Sequence, residues 1–564
     1  MNINDSLCLS ALFLATGGLL SGCGGGSSSD DNDTATISGV IYAAPVSGAQ
    51  VSIKTAGGEL IAGPVQSGSD GNYTIEVDRD RLSEALIVES SGGTFNDEAT
   101  GLSVTADSLM AHVPAGRLSS GSNVSLTPGT TIVGRLITAH QMTRQAAENA
   151  FQNAFGYKPD SAVTPRASGG EKNQLRAGLR AAAFSQLNMD LGLQAAEQFD
   201  LLQAIADDLA DGNADGSDAN GPIDIGSSGK RLPMDIQNRF SRAMTRFFAS
   251  ANNLSGLTAD EIGALPEGSV VLTDSYKIER TPMMGPMEGK STCTLTITNN
   301  SDGTPATGLN LSLTPVMHMA MHSHSTPVGG CIEQADQPGS YQCTVYYLMA
   351  SKMMNGTSMG FWDMKVTIGD EEAHFYPTVM MAMGGDTAKA VLQGQDDKIA
   401  GMGGMNPGGD MAGDHQMQMS AMDMGDGTMP EKRKYFLFHD GLTGTTGNHT
   451  FDLFIATKEN MMSYPAVSVG TTLKNEMGAE WTVNTMSVEV STDRTNWIAA
   501  TDNGSGHWSA SGISGLTDGS QGTLYVRLTV NGEQKTDDGY APDGTADDAE
   551  FKVTPGGSSM SMGM

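Results

Sequence analysis

The stretch GFWDMKVTI, residues 360–368, carries the pattern that decides the fold. Its apolar residues Trp362, Met364 and Val366 alternate with polar ones, as in a strand with one face in a core. The surrounding segments CTLTITNN, GLNLSLTP, SYQCTVYYLM and EAHFYPTVMM alternate in the same way, and Gly, Pro and Asn turns separate them. Residues 274–388 therefore predict an immunoglobulin-like β-sandwich.

The pattern continues on both sides of this region. Residues 36–127 and 433–555 also alternate with period two and predict two further sandwiches. Residues 128–265 change to the helical period and predict a bundle of about four helices, with Gly156 suited to end the first. We therefore expect a multidomain, mainly β fold: immunoglobulin-like β-sandwiches with an inserted α-helical bundle module.

Residues 36–127 hold a series of short motifs: Ser-Gly-Val, Pro-Val-Ser-Gly-Ala, Val-Ser-Ile and Asp-Gly-Asn-Tyr. Their order resembles the carboxypeptidase regulatory-like β-sandwich. The resemblance implies a spacer or binding module, and it brings no catalytic residues with it.

The N-terminal residues 1–23 predict an export signal. The apolar run in LCLSALFLATGGLLSGC is too short to span a bilayer comfortably, although MNINDS before it carries no basic residue. Its end, Leu-Ser-Gly-Cys, resembles the lipobox of bacterial lipoproteins. That resemblance implies a lipid on Cys23 and anchoring in the outer membrane, facing the periplasm or the cell surface. Residues 24–35 begin GGGSSSDDND and predict a flexible tether. The alternative is an ordinary cleaved signal with an incidental cysteine.

The charge balance excludes several classes of partner. Asp and Glu (64) outnumber Lys and Arg (32), and the net charge of −32 opposes binding to nucleic acid or to anionic lipid. The N-terminal lipid would then be the membrane contact. The sequence has no nucleophile motif, phosphate-binding loop, dinucleotide fingerprint or thioredoxin-type cysteine pair, so we expect no enzymatic activity.

Three cysteines remain once the export signal is set aside: Cys293, Cys331 and Cys343. Cys331 and Cys343 flank a Pro-Gly turn between two predicted strands. A disulfide there would close a short loop and stabilise the fold by about 3 kcal/mol. Cys293 would then be unpaired, and a bridge from Cys293 to either of the others stays open.

Methionine and histidine are concentrated in one part of the chain. Most of the 35 methionines lie between Met283 and Met429, and six of the ten histidines lie in almost the same region. Thioether sulfur is a soft neutral ligand that favours Cu(I), while imidazole accepts Cu(I), Cu(II) and Zn(II). The combination predicts copper before zinc or iron.

The densest cluster lies in LSLTPVMHMAMHSHSTPVGG, residues 311–330. In a straight strand the odd-numbered methionines would continue the leucine face into the core, and the histidines would face solvent. Against this packing interpretation, Pro315 usually marks an edge or a bulge, so an exposed segment where both faces reach one ion is the favoured hypothesis. The candidate metal ligands are Met317, His318, Met319, Met321, His322 and His324.

Three segments of this region together resemble the small extracytoplasmic β-sandwiches called YtkA-like or FixH-like: GLNLSLTPVMHMAMHSH, PGSYQCTVYYLM and GFWDMKVTIGDEEAHF. Members of that family are associated with copper handling and cytochrome oxidase maturation. The resemblance implies a copper site at this cluster and a copper-handling protein as partner. It also implies further ligands on the closing strand, namely His374, Met380, Met381 and Met383.

Residues 389–432 predict a low-complexity linker rich in Met, Gly and Asp, without the periodicity of a core. Its Met-x-Met and Met-Gly-Gly-Met spacings resemble the methionine tracts of copper-resistance proteins, which hold several Cu(I) ions loosely. Oxidant scavenging through sulfoxide formation and a passive tether are the alternatives. Residues 556–564 predict a methionine-rich tail. The candidate ligands of the linker are Met402, Met405, Met411, His415, Met417, Met419, Met422 and Met424.

Calcium is a minor hypothesis for the segment DGNADGSDANG. Asp211, Asn213 and Asp215, followed by Gly216, match the opening of an EF-hand loop. Such a loop needs a bidentate glutamate six residues after the glycine, where this chain has Pro222. The alternative is a loop capped by its own side chains.

We therefore expect an extracytoplasmic lipoprotein that binds copper, as Cu(I), for copper tolerance, storage or delivery. The alternative is a structural or adhesive surface lipoprotein whose domains are spacers and whose methionines only pack or scavenge oxidants.

Overall fold

The computed structural model describes residues 33–281, 285–382, 384–401, 430–544 and 547–556. Over these ranges the chain is mainly β, with its α-helices gathered in one stretch. The expected fold class, immunoglobulin-like β-sandwiches with an α-helical module, is confirmed. Within the same ranges, no helix is both long enough and apolar enough to cross a bilayer.

The first sandwich consists of short antiparallel strands: β1 (Thr34–Val40), β2 (Gln50–Thr55), β3 (Leu60–Gln66), β4 (Asn72–Asp78), β5 (Leu86–Ser91), β6 (Thr94–Asn96), β7 (Ser103–Thr105) and β8 (Ser108–Val113). They pair in the orders β1-β4, β3-β2-β5-β8 and β6-β7. In β4, Tyr73, Ile75 and Val77 are buried and the residues between them are exposed, as a period of two requires.

The helical module follows, with α1 (Pro128–Thr138), α2 (Arg144–Phe155), α3 (Lys172–Asp190), α4 (Gln198–Asp208), a short hairpin of β9 (Ser217–Asp218) and β10 (Gly221–Pro222), and α5 (Ile236–Ala249). The sequence predicts one helix where α1 and α2 lie, and the structure breaks it. Gln141 adopts a left-handed backbone conformation (φ 55°). The Thr143 side chain then accepts a hydrogen bond from the N–H of Ala146 and caps the start of α2. Gly156, at φ 75°, ends α2.

The helices and the first sandwich share one hydrophobic core. Phe95 on β6 lies against Phe199 on α4, with ring centroids 6.1 Å apart. Phe155, Phe184 and Phe240 come from three helices and meet at centroid distances of 4.8 to 5.3 Å. Because the packed cluster is continuous, the helices pack on one another and on the sandwich in one core.

The middle sandwich contains β11 (Val270–Leu272), β12 (Tyr276–Thr281), β13 (Gly289–Asn299), β14 (Leu311–His318), β15 (Ser323–Ser325), β16 (Val328–Glu333), β17 (Ser340–Tyr347), β18 (Phe361–Ile368) and β19 (Glu371–Phe375). One sheet has the order β11-β12-β13-β17-β16, and the other has the order β15-β14-β18-β19. Between them pack Leu295 and Ile297 from the first sheet and Trp362, Met364 and Val366 from the second, all at most 1% exposed.

The outer face of the four-stranded sheet lies against α5. Phe361 and Tyr376 join the core of the helical module, and the Tyr376 hydroxyl lies 3.3 Å from Oγ1 of Thr245. Burial raises the pKa of Tyr376 well above its usual range, as expected for a phenol enclosed between two layers.

The C-terminal sandwich contains β20 (Lys389–Ile399), β21 (Glu431–Thr445), β22 (Asn448–Thr457), β23 (Thr472–Lys474), β24 (Glu480–Thr482), β25 (Met486–Ser491), β26 (Ile498–Ala499), β27 (Thr501–Gly504), β28 (His507–Ile513), β29 (Gly522–Val530), β30 (Glu533–Lys535) and β31 (Ala549–Val553). One sheet runs β20-β21-β22-β28-β27. The other runs β26-β25-β29-β30, with β31 also paired to β29, and β23 and β24 form a hairpin.

The structure differs from the predicted start of the linker. Residues 389–399 form β20, in which Leu392 pairs with Tyr435 and is fully buried. The alternation is hard to see in the sequence because a carboxylate, that of Asp397, takes an inward position. Nε of Arg433 donates a hydrogen bond to it at 2.8 Å.

The middle and C-terminal sandwiches contact each other through an aromatic stack. Tyr346 on β17 lies over Phe454 on β22, with ring centroids 4.0 Å and ring planes 8° apart. The Tyr346 hydroxyl donates to Asp440 at 2.7 Å, and Nζ of Lys290 lies 2.9 Å from the same carboxylate. This contact fixes the C-terminal sandwich beside the methionine and histidine cluster.

Candidate metal centre at the β14–β15 hairpin

Strands β14 and β15 form a hairpin whose tip holds the methionine and histidine cluster. The N–H of Met319 donates to the carbonyl of His322 at 3.0 Å, and the chain reverses between them. Met317 on β14 therefore lies directly opposite His324 on β15. Directly opposed residues of an antiparallel pair project to the same face. The packing alternative, in which a straight strand would turn His324 to solvent, does not hold, because odd and even positions keep their faces only along one uninterrupted strand.

His324 is a buried imidazole, and burial favours its neutral form. Its exposed fraction is 6%, and its Nδ1 lies 2.7 Å from the carbonyl oxygen of Ser325. A carbonyl oxygen can only accept, so Nδ1 carries the proton. Burial lowers the pKa of His324, the hydrogen bond to the Ser325 carbonyl offsets part of that change, and the nearby His322 and Lys458 charges lower the pKa further. The other ring nitrogen, Nε2, therefore presents a lone pair.

This lone pair faces a methionine sulfur. Nε2 of His324 lies 3.2 Å from Sδ of Met349, shortly after the end of β17. In the neutral imidazole with its proton on Nδ1, neither atom has a hydrogen to donate, so two electron-pair donors face each other in a largely dry place. A soft cation between them would bind both. The bond from Nδ1 to a carbonyl is the second contact that metal-ligating histidines usually make.

Trp362 fixes the Met349 side of the site. Its indole N–H donates to the Met349 carbonyl at 3.2 Å, and its ring stands perpendicular to that of His324 at a centroid distance of 5.6 Å. Met317 pairs directly with Trp362 and is fully buried. Aromatic and sulfur-containing side chains therefore enclose the inner side of the site.

The tip of the hairpin forms the outer rim. His322 is partly buried, with its ring centroid 6.3 Å from that of His324. Met319 packs against the sandwich core, whereas Met321 is 70% exposed. The N–H of Ser325 donates to the carbonyl of Met461 at 2.8 Å, so a loop of the C-terminal sandwich lies next to this rim.

His318 and His374 lie on the opposite face of the sheet. The His318 ring stacks on Phe361 at a centroid distance of 4.8 Å, and its Nδ1 lies 3.1 Å from Oγ of Ser323. Nδ1 of His374 lies 2.9 Å from Oδ1 of Asp363. Both were expected to join the inner-face methionines around one ion. The pleat prevents this, because alternate residues of a strand project to opposite faces.

Met380 and Met381 are anchored elsewhere. The N–H of Met380 donates to the Pro286 carbonyl at 2.7 Å, and its own carbonyl accepts from the N–H of Glu288 at 2.8 Å. The backbone of Met380 thus pairs with the segment just before β13 and not with the hairpin, and the side chains of Met380 and Met381 are both exposed. The remaining predicted lipidation and metal residues lie outside the described residues: Cys23, Met383, Met402, Met405, Met411, His415, Met417, Met419, Met422 and Met424.

The segment predicted as a calcium loop caps its own backbone. Oδ1 of Asp211 accepts the N–H of Asn213, and Oδ1 of Asp215 accepts both the N–H and the hydroxyl of Ser217. Such bonds are the ordinary caps of an Asp-rich loop. In the described part of the chain, no three His, Cys, Asp or Glu side chains form a group that could hold a metal ion.

Met349 lies outside the methionine and histidine cluster of the sequence. It stands 25 positions from His324, and only the closure of the sandwich brings its sulfur to the hairpin. The feature of the sequence that could have indicated Met349 is its place directly after the aromatic strand SYQCTVYY.

Comparisons with known proteins give no family for this chain. No family model and no curated protein matches it. The Escherichia coli adhesin FdeC is 16% identical with a TM-score of 0.15, covering 51% of this chain and 66% of the adhesin. Invasin, a bacterial integrin-binding protein, is 9% identical with a TM-score of 0.14, and the match covers 93% of this chain and 78% of invasin. An endo-fucoidan hydrolase of glycoside hydrolase family 107 is 10% identical with a TM-score of 0.12, and the match covers 45% of this chain and 27% of the hydrolase. Likeness this remote carries no argument about function.

Proposed function

We propose that this chain is an exported, lipid-anchored protein that binds copper as Cu(I), for copper tolerance, storage or delivery to a copper-handling protein. One observation carries the proposal: the lone pair of His324 Nε2 faces Sδ of Met349 at 3.2 Å in a buried position. Both donors are uncharged and one is soft, a combination that suits Cu(I) and does not suit Ca²⁺ or Mg²⁺.

Further donors are available at the same end of the sandwich. Met317 stands opposite His324 in the ladder, and Met319 packs on the same core. Their thioether sulfurs are therefore the candidates for a further ligand to an ion held by His324 and Met349. The exposed Met321 at the tip is suited to a first, transient contact with an incoming ion.

Two parts of the sequence outside the described residues support the wider proposal. The methionines of residues 402–429 would add weaker sites, so we expect more than one copper ion per chain. The Leu-Ser-Gly-Cys motif that ends at Cys23 supports export and a lipid anchor in the outer membrane, facing the periplasm or the surface.

A structural or adhesive role is the second candidate. Met317 and Met364 are at most 1% exposed and pack in the core, as that role would require of its methionines. Under it, the sulfur of Met349 is a packing group that leucine would replace without consequence.

Titration of the full chain with Cu(I) against a chromogenic chelator tests the proposal. His324→Gln and Met349→Leu each remove one donor, and each is expected to weaken the tightest site at least about tenfold. Met364→Leu removes a sulfur from the same core away from the site and is expected to leave the affinity unchanged. Leucine at the methionines of 402–429 is expected to lower the stoichiometry and to spare the tightest site.

The thermal midpoints of the variants establish that each one is folded. If folded His324→Gln and Met349→Leu chains bind Cu(I) as tightly as the unaltered chain, the copper site is refuted and the structural role remains. Equal weakening by Met364→Leu would refute the assignment to Met349 in the same way.

A further inference from the structure

Three cysteines lie in one row across three adjacent strands of the middle sandwich. Cys343 on β17 stands directly opposite Cys293 on β13, and on its other side directly opposite Cys331 on β16. Directly opposed residues share a face, so the three side chains project toward the same core. Cys331 and Cys343 form a disulfide, and Cys293 is a free thiol.

The register limits which pairs can form a disulfide. The Cα atoms of Cys331 and Cys343 are 4.0 Å apart. Opposed residues on neighbouring antiparallel strands have Cα atoms about 4.5–5.5 Å apart, so Cys293 and Cys343 also lie within disulfide range. Cys293 and Cys331 are separated by two strand spacings, about 9.5 Å, which is too far for a bond without a rearranged sheet.

We propose that these residues form an internal thiol–disulfide exchange site with Cys343 as the shared sulfur. The Cys293 thiol loses its proton, and the thiolate attacks Sγ of Cys343. A Cys293–Cys343 bond forms as the Cys343–Cys331 bond breaks, and the electron pair leaves with Sγ of Cys331, which takes up a proton. One disulfide and one thiol exist before and after, so the step needs no oxidant or reductant.

The position of each cysteine favours this internal route. Cys343 is fully buried, so a thiol from solvent does not reach its sulfur, whereas Cys293 stands beside it. In the register, Cys293 and Cys331 lie on opposite sides of Cys343, the arrangement that an in-line displacement at its sulfur uses. Cys331 lies on the edge strand β16 and is partly exposed, so the exchanged form presents a thiol at the sheet edge.

The exchange is expected to be slow at neutral pH and faster in alkali. Burial raises the pKa of the Cys293 thiol, and the Arg280 guanidinium offsets part of that rise. Because the thiolate is the nucleophile, the rate should increase about tenfold per pH unit below that pKa.

Alkylation of the full chain tests the proposal. The folded protein is held with iodoacetamide at neutral and at alkaline pH without reductant, then acidified and digested, and the labelled and disulfide-linked peptides are identified by mass spectrometry. We expect label on Cys331, a Cys293–Cys343 linked peptide, and faster labelling at the higher pH. Label on Cys293 with the Cys331–Cys343 bond intact, or no label on any of the three, would overturn the proposal.

Two variants sharpen the result. Cys293→Ser removes the nucleophile and should abolish labelling of Cys331. Cys331→Ser should contain a Cys293–Cys343 disulfide when purified under oxidising conditions. If a folded Cys331→Ser chain instead keeps two free thiols at these positions, Cys343 is not a shared sulfur. Should this variant fail to fold, the peptide map of the unaltered chain still decides.

Discussion

Glu98 shows how one buried carboxyl group couples the stability of this chain to pH. Its Oε1 accepts a hydrogen bond from the Tyr42 hydroxyl at 3.1 Å, and its Oε2 is buried without a hydrogen-bond partner among the described residues. Burial raises the pKa of Glu98 to about 8, the Tyr42 hydrogen bond offsets part of that rise, and the neighbouring Asp97 charge adds to it. The folded chain therefore holds a proton that an unfolded glutamate, with a pKa of about 4.3, releases.

We expect this group to make the fold less stable as pH rises from about 4.5 to about 8, because the folded state binds more protons than the unfolded state in that window. Glu98→Gln is neutral at every pH. Its urea unfolding midpoint should therefore fall less between about pH 5 and about pH 8 than that of the unaltered chain.

The exposed Glu76 on β4 supplies a matched control for this experiment. Glu76→Gln should keep the pH dependence of the unaltered chain. Parallel pH profiles for the Glu98→Gln chain and the unaltered chain would show that Glu98 is not protonated in the fold.

At the scale of elements, β20 is held in place by a buried charge cluster. Oδ1 of Asp397 accepts a hydrogen bond from Nε of Arg433 at 2.8 Å, and Oδ2 accepts one from the Tyr435 hydroxyl at 2.5 Å. Nζ of Lys535 lies 3.4 Å from the same carboxylate. Arg433 and Lys535 are both fully buried, so one carboxylate on β20 forms ion pairs with cations from β21 and β30.

Asp397→Asn keeps the shape of the side chain and removes the charge that two buried cations share. We expect it to lower the free energy of unfolding by about 3 kcal/mol or more, measured in urea. Asp396→Asn, at the exposed neighbouring position, should change it by no more than about 0.5 kcal/mol. Similar losses in the two variants would mean that the cluster does not hold the strand.

The strands of this chain could be predicted where one face meets one core. The inward positions of Trp362, Met364 and Val366 follow from alternation along a single strand. The start of β20 could not be predicted from alternation. An aspartate can point inward there only because Arg433, 36 positions away, pairs with it. The break before Thr143 was hidden for a similar reason, since the helical period continues on both sides of it.

The candidate site was predictable only in part. The composition singles out the hairpin and its histidines, but the chain reversal decides that His324 shares a face with Met317. Met349 reaches His324 only through the packing of one sheet on the other, and no pattern within either strand encodes that contact. The ligand set is therefore a property of the fold and not of the cluster in the sequence.

At the scale of the whole molecule, the stack of Tyr346 on Phe454 holds two sandwiches together next to the hairpin. Phe454 is 1% exposed and packs with Phe438 and Ala456 in a small cluster of its own. The amide of Ser325, which donates to Met461 across the same interface, reports whether the two sandwiches stay in contact.

Phe454→Ala removes the stacked ring, and we expect it to destabilise the chain by about 3–5 kcal/mol and to speed hydrogen exchange at the Ser325 amide. Phe551 is equally buried but lies inside the C-terminal sandwich. Phe551→Ala should destabilise that sandwich and affect the Ser325 amide less. Unchanged exchange at Ser325 in the Phe454→Ala chain would mean that the stack does not govern the interface.

The core that runs from the first sandwich into the helices also sets how this part of the gene can be rearranged. A recombination breakpoint between Thr127 and Pro128, where the period of the sequence changes, would separate Phe95 from Phe199 and leave two fragments that each present bare apolar surface. We therefore expect strands β1 to β8 and helices α1 to α5 to fold, and to be exchangeable, only as one unit. A border drawn where sequence character changes is a poor guide to where such a gene can be cut and joined.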